Sequence, residues 1–211
     1  MELKKKNILI TGAGKGIGES CLKNFIENGA YVYAIIKDAK DNYKFKNLKN
    51  ISIINGNVSN TKLIQGVIQK SIKDKKKINC VVNNAGIRHR KDFINISDKE
   101  LTKVFEVNFF SIFRILQLIS KFWVKNNIEG NVVNITSIVG QIGFKQLSAY
   151  ASSKGALVSL TKSFALEFSD FGIRANSLSP GFTKTSFYDE FKKNKNLYNW
   201  TLSRIPQKRF S

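Results

Sequence analysis

The chain has 211 residues, with 35 Lys or Arg against 15 Asp or Glu, a formal charge of +20, 42% hydrophobic residues, 14 Gly and 2 Pro. That length suits one α/β domain with a sizeable core, and the composition excludes a collagen-like, disulfide-stapled or wholly disordered chain. No stretch reaches about 18 uninterrupted apolar residues, and Met1-Glu2-Leu3-Lys4-Lys5-Lys6 leads straight into a strand-like segment, so a soluble, cytoplasmic chain without a membrane partner is expected.

In chain order, Asn7 to Thr11 is a short β-rich run, Gly16 to Asn28 has helical character, and Tyr31 to Ile36 is again Val/Ile/Tyr-rich. Strand, glycine turn, helix and strand make a βαβ unit. Ile51 to Ile54 follows as strand, Lys62 to Ile72 as helix, Ile78 to Val82 as an apolar strand, and Asp98 to Val107 and Phe109 to Val124 as two helices. Asn131 to Thr136 reads as strand, Ala149 to Phe168 as helix and Arg174 to Leu178 as strand. Short apolar strands separated by helices predict a doubly wound parallel sheet with helices on both faces. No repeat, linker or boundary divides the chain, so residues 1–211 read as one domain.

Cys21 and Cys80 have no CxxC spacing, and His89 is the only histidine, so buried thiols are expected and no metal site. A charge of +20 raises nucleic acid as a partner. Only six basic residues are Arg, however, and Lys, Asn and Ile fill most variable positions, which points to compositional drift. The densest run, Lys73-Asp74-Lys75-Lys76-Lys77, has no interleaved aromatics for base stacking and reads as a solvated turn, without nucleic acid.

The chemistry begins at Thr11-Gly12-Ala13-Gly14-Lys15-Gly16-Ile17-Gly18, between the first strand and the first helix. Glycines there let backbone approach a pyrophosphate, and the helix N-terminus supplies free N–H groups and a positive dipole end. Asn83-Asn84-Ala85-Gly86 follows the fourth strand, at the sheet edge where open parallel sheets bind ligands. Asn108 lies between the two middle helices, Ser137 follows the fifth strand, Tyr150-Ala151-Ser152-Ser153-Lys154 opens a long helix, and Pro180-Gly181 follows the sixth strand.

The glycine spacing is Gly12-x-x-x-Gly16-x-Gly18, and with the NNAG, Ser, YxxxK and Pro-Gly motifs in this order the chain resembles the short-chain dehydrogenase/reductase family over nearly its whole length. The resemblance implies a Rossmann-type fold and a catalytic tetrad of Ser137, Tyr150, Lys154 and Asn108. Tyr150 would be the general acid or base at a ketone or alcohol oxygen. Ser137 would orient that oxygen, Lys154 would also hold the nicotinamide ribose, and Asn108 would position a water for proton relay. Gly12, Lys15, Gly16, Ile17, Gly18, Asn84, Ala85, Gly86, Pro180 and Gly181, with Tyr150 and Lys154, would line the cofactor.

Residues four apart on a helix share a face, so the Lys154 ammonium can lie near the Tyr150 phenol. A phenol working near neutrality needs its pKa lowered by roughly three units, or about 4 kcal/mol. One charge at about 4 Å supplies about 1 kcal/mol in water but about 4 at an effective dielectric of 20, so the pair is expected to work only when covered. Cofactor preference rests on charge. Where NAD-binding members place an Asp at the end of the second strand, this chain has Ile36. Lys37 and Lys15 stand where NADP-preferring relatives carry bases, so NADP(H) is favoured, with Asp38 keeping NAD(H) open. Asn57-Val58 replaces the usual Asp-Val beside adenine, its amide oxygen still able to accept a hydrogen bond.

The segment from Asn84 to Phe93 and the ending Trp200 to Phe210 resemble the gluconate 5-dehydrogenase and 2-deoxygluconate 3-dehydrogenase branch. Arg88 or Arg90 could pair with a substrate carboxylate, which points to a keto sugar acid or another polar ketone. Ser137-Ile138-Val139-Gly140 and Pro180-Gly181-Phe182 equally resemble 3-oxoacyl-acyl-carrier-protein reductase, although Asn95 and Phe171 replace its carrier-docking arginines. A non-catalytic or polyanion-binding protein on a dinucleotide fold is the alternative of another class. In relatives, the stretch resembling Ile205 to Ser211 leads into another helix and a final parallel strand. A chain lacking both, and with them part of a dimer or tetramer surface, is the expectation here. Ser186 to Ser203, with Phe187, Tyr188, Phe191, Tyr198 and Trp200, is expected by resemblance to form a mobile substrate lid, with packing of these aromatics under the final strand of relatives as the alternative.

Overall fold

The computed structural model describes residues 3–184, 188 and 192–210. Six strands form one all-parallel sheet: β1 Asn7–Thr11, β2 Tyr31–Ile36, β3 Ile51–Asn55, β4 Cys80–Asn83, β5 Asn131–Ile135 and β6 Arg174–Leu178. Their spatial order is β3-β2-β1-β4-β5-β6, which reverses direction between β1 and β4. The helices are α1 Gly16–Glu27, α2 Thr61–Lys73, α3 Asp98–Phe105, α4 Ser111–Lys125, α5 Ser148–Glu167 and α6 Lys195–Arg204. This is the doubly wound Rossmann-type architecture expected from the alternation of strand and helix.

Successive strand residues point to opposite faces, and here both faces are buried. Leu9, Tyr33, Ile35, Val81 and Val132 meet Ile64, Val67 and Ile68 of α2, Ile112, Ile115, Ile119 and Trp123 of α4, and Leu157 and Phe164 of α5. Ile8, Ile10, Val32, Ala34, Ile36 and Val82 pack instead with Leu22 of α1 and with Phe45. The Trp123 indole donates to the Ile78 carbonyl at 2.7 Å, joining α4 to the start of β4.

One boundary and one turn differ from expectation for local reasons. The two middle helices form one run, because a π turn over Glu106–Phe110 joins α3 to α4. That run, Asp98–Lys125, is long and apolar enough to cross a bilayer by length and composition, but half of its most apolar stretch is buried, largely where α4 meets the sheet. The lysine-rich turn is only partly solvated. Asp74 pairs with Lys70 and accepts from the Tyr33 phenol at 3.0 Å, Lys76 lies over the Tyr31 ring, and Lys77 donates to Asn126. Phe187 and Phe191 lie outside the described residues. Along β6, Leu178 is 55% exposed.

Trp123→Phe should cost about 1–3 kcal/mol, because it strands the buried Ile78 carbonyl and opens space in the larger core. Urea unfolding measures this, and a variant as stable as the wild type would contradict the assignment.

Candidate active site

Every motif from the sequence arrives at the carboxyl edge of the sheet. Gly12, Lys15, Gly16, Ile17 and Gly18 form the turn from β1 into α1; Lys37, Asn57-Val58 and Asn84-Ala85-Gly86 follow β2, β3 and β4; Ser137 and Pro180-Gly181 follow β5 and β6. The point where strand order reverses, between β1 and β4, is closed by hydrogen bonds. The backbone N–H groups of Asn84 and Ala85 donate to the Thr11 hydroxyl at 3.1 and 3.0 Å. The Asn84 amide donates to the carbonyls of Thr11 and Gly12, both at 3.0 Å. Gly18 is required here, since a Cβ would collide with the Gly12 carbonyl and the Asn84 amide.

No side chain caps the N-terminus of α1, whereas Asn60 caps α2 and Ser97 caps α3. Its first N–H groups therefore face the glycine turn with a positive dipole end, which is what a pyrophosphate requires. Lys15 and Lys37, which follow β1 and β2, are both exposed. The Asn57 amide oxygen already accepts from the Ser59 N–H at 3.1 Å, while Val58 is buried.

The tetrad residues converge from three elements. Asn108 sits in the π turn, fully buried, accepting from the Ile87 N–H at 2.8 Å and donating to the Ile87 carbonyl at 2.9 Å and to the Ser153 hydroxyl at 3.0 Å. The Ser153 hydroxyl in turn donates to the Tyr150 carbonyl at 2.7 Å. Asn108 thus fastens the segment after β4 to the helix that carries Tyr150. Ser137 is extended, accepts from the Val139 N–H at 3.2 Å and stands beside the Tyr150 phenol, where its hydroxyl acts to lower the phenol's pKa. Gly140 makes that approach possible, because a Cβ there would lie 2.9 Å from the Gly155 nitrogen on α5.

Lys154 is 3% exposed, and its ammonium donates to the Ile135 carbonyl at 2.7 Å. Burial pushes its pKa down to about 8. The Tyr150 pKa is set by burial and not by Lys154, whose ammonium is turned to the Ile135 carbonyl. Burial raises the phenol above its ordinary value and outweighs the Ser137 hydroxyl and the positive charge of Arg88, both of which act to lower it. Burial also raises both partly buried thiols, Cys80 to about 11.

In front of Tyr150 and Ser137 lies a cleft of about 610 Å³. Arg88 and Arg90 line it as anticipated, although the Arg90 guanidinium also donates to Gln146 at 3.0 Å. Lys145 and Arg204 were not anticipated, nor were Phe144 and Phe182, which with Trp200 of the expected lid form an aromatic wall. Phe144 meets Trp200 edge-on at 5.7 Å, and Arg204 lies over the Trp200 ring. Arg204 belongs to the ending that carried the branch resemblance, but no spacing rule brings α6 back to the cleft.

The buried lysine makes stability depend on pH. The unfolded chain keeps this ammonium up to about 10.5, whereas the folded chain releases its proton near 8, so its penalty fades as pH rises through that window. Urea unfolding of wild type and Lys154→Met should show the stability difference moving in favour of the wild type by about 2 kcal/mol between about pH 7.5 and about pH 10. A difference independent of pH would contradict the burial argument.

The short chain dehydrogenase family matches residues 6–196. A 3-oxoacyl-[acyl-carrier-protein] reductase of Buchnera aphidicola subsp. Acyrthosiphon pisum is 32% identical over 215 residues, covering 100% of this chain and 86% of that protein. Among solved structures, 4-hydroxyisoleucine dehydrogenase complexed with NADH has a TM-score of 0.88 at 31% identity, covering 98% of this chain and 85% of its own. ElxO with NADP bound has a TM-score of 0.89 at 29% identity, covering 98% and 86%. The chain belongs to the short-chain dehydrogenase/reductase family, an oxidoreductase acting on CH–OH and C=O groups.

Proposed function

We propose that the protein is an NADP(H)-dependent reductase of ketones that carry an anionic group, with a keto sugar acid as the favoured substrate class. One observation carries the substrate reading. The cleft in front of Tyr150 and Ser137 is lined by Arg88, Arg90, Lys145 and Arg204, with no carboxylate among its described lining residues. An anion entering it meets only favourable charge, and an arginine fork can fix a carboxylate in two hydrogen bonds. Ile36 at the end of β2 and the exposed Lys15 and Lys37 support NADP(H) over NAD(H).

The dinucleotide's pyrophosphate would lie at the uncapped start of α1, with Gly12, Gly16, Ile17 and Gly18 as the close-approach backbone. Asn57-Val58 and Asn84-Ala85-Gly86 would flank the cofactor, with Pro180-Gly181 at the cleft end. When bound, the nicotinamide supplies or accepts the hydride. Tyr150 gives its phenolic proton to the ketone oxygen in reduction and takes it back in oxidation. Ser137 hydrogen-bonds that same oxygen. Lys154, with its pKa near 8, can hold or release a proton close to neutrality behind the phenol, and Gly86 leaves space beside its ammonium. Asn108 keeps the wall carrying Arg88 in register with α5 through Ile87 and Ser153, and by family resemblance it also holds a water. The described part of the expected lid, α6, lies over the cleft through Leu197, Trp200 and Thr201. By the same resemblance the chain acts as one catalytic domain, in the cytoplasm, as a homo-oligomer.

A 3-oxoacyl-acyl-carrier-protein reductase is the second reading, favoured by the similarity to the Buchnera enzyme and by an aromatic cleft wall suited to an acyl chain. Keto acids and 3-oxoacyl thioesters assayed side by side separate the two, and activity confined to thioesters would overturn the first. Tyr150→Phe should leave dinucleotide affinity within about twofold and lower turnover at least about 100-fold, the scale of acid–base catalysis. A variant that keeps most of its rate would refute the role of Tyr150.

A further inference from the structure

Beside the glycine turn lies a charged cluster that the catalytic reading does not use. Lys44 donates to the Gly14 carbonyl at 2.9 Å and pairs with Asp41 at 3.2 Å and with Glu19 of α1 at 3.4 Å. Glu19 has a second cation, Lys23, at 2.7 Å. Asp41 has no other ion-pair partner among the described residues. Its position is set by the fold, because a Cβ on Gly14 would lie 3.1 Å from an Asp41 carboxylate oxygen and 3.0 Å from the Ile36 side chain. Asp41 therefore stands where the glycine turn meets the end of β2.

The short helical segment Ala39–Phe45 that carries both residues is pinned at two points. Phe45 is buried in the core, and the amides of Asn42 and Asn55 exchange hydrogen bonds at 2.8 and 3.1 Å while Asn55 also donates to the Ile36 carbonyl. Lys44 is anchored by its carboxylates, which hold its pKa above the ordinary value. Asp38, by contrast, is exposed, and solvent screens it.

Resting on the reading that this turn holds a dinucleotide, we propose that Lys44 masks the Asp41 carboxylate and thereby sets the tolerance of the adenosine end for a 2′-phosphate. A phosphate carrying roughly −1.5 to −2 charge is repelled by a nearby carboxylate, and a partly buried carboxylate is screened much less than an exposed one. With Asp41 neutralised, Lys15 and Lys37 decide the local field. Without Lys44, Asp41 opposes them, and a ribose diol, being uncharged, is affected far less. Selectivity at this end thus depends on a pair that lies outside the sequence positions by which it is usually read.

The test is fluorescence titration of NADPH and of NADH, at fixed moderate salt, against wild type, Lys44→Met, Lys44→Arg, Asp41→Asn and the Lys44→Met/Asp41→Asn double variant. The wild type should prefer NADPH. Lys44→Met should weaken NADPH at least about tenfold and NADH no more than about threefold. Lys44→Arg and Asp41→Asn should keep the preference, and the double variant should recover it. Equal weakening of both nucleotides in Lys44→Met would reduce Lys44 to a support for the turn and overturn the masking. So would failure of the double variant to recover, or a wild-type preference for NADH. A wild type that binds neither nucleotide would overturn the dinucleotide reading itself, and the masking with it.

Discussion

The Thr11 hydroxyl holds the active edge of this molecule together. It accepts two backbone N–H groups from the segment after β4, while Asn84 returns two bonds to the carbonyls of Thr11 and Gly12. β1 and β4 are the adjacent strands from which the chain winds outward in opposite directions, so their ends would otherwise diverge and leave a crevice of unpaired backbone. The four bonds turn that crevice into a fixed floor. The glycine turn lies on one side of it. On the other, the segment carrying Arg88 runs into the cleft, and Asn108 ties it through Ile87 and Ser153 to the helix of Tyr150.

Charge is arranged by depth. At the bottom, Lys154 is buried and Tyr150 half-buried, and loss of solvent favours the neutral form of each, lowering one pKa and raising the other. Farther out, Arg88, Arg90, Lys145 and Arg204 surround a partly aromatic cleft and keep their charges near solvent. The reacting phenol is thus protonated beside a lysine that can change its charge near pH 8, while the attraction for an anionic substrate is carried by the rim.

Much of this was legible in the sequence, for reasons that differ by residue. Strands such as Tyr31–Ile36 announce themselves because both faces are buried, and the Tyr150 and Lys154 pair follows from helical spacing. The break read between two helices at Asn108 is a π turn, a local insertion that apolar periodicity registers only as a gap. What stayed hidden depends on contacts between distant segments. The link from Lys154 to the Ile135 carbonyl, the arrival of Arg204, Phe144 and Phe182 at the cleft, and the grip of Lys44 on Gly14 each need the fold. In a chain with 35 basic residues, no local signal separates Lys44 from its neighbours.

The site is built with Tyr150 as a protonated, half-buried acid. The most direct test is the pH titration of the tyrosine ring carbon by NMR in ligand-free protein labelled at tyrosine, with Tyr150→Phe assigning the resonance. Tyr150 should titrate above the ordinary phenol value of about 10. A titration at or below about pH 8 would instead show a phenol already tuned for ionisation in the free protein, and would overturn its role as a protonated acid.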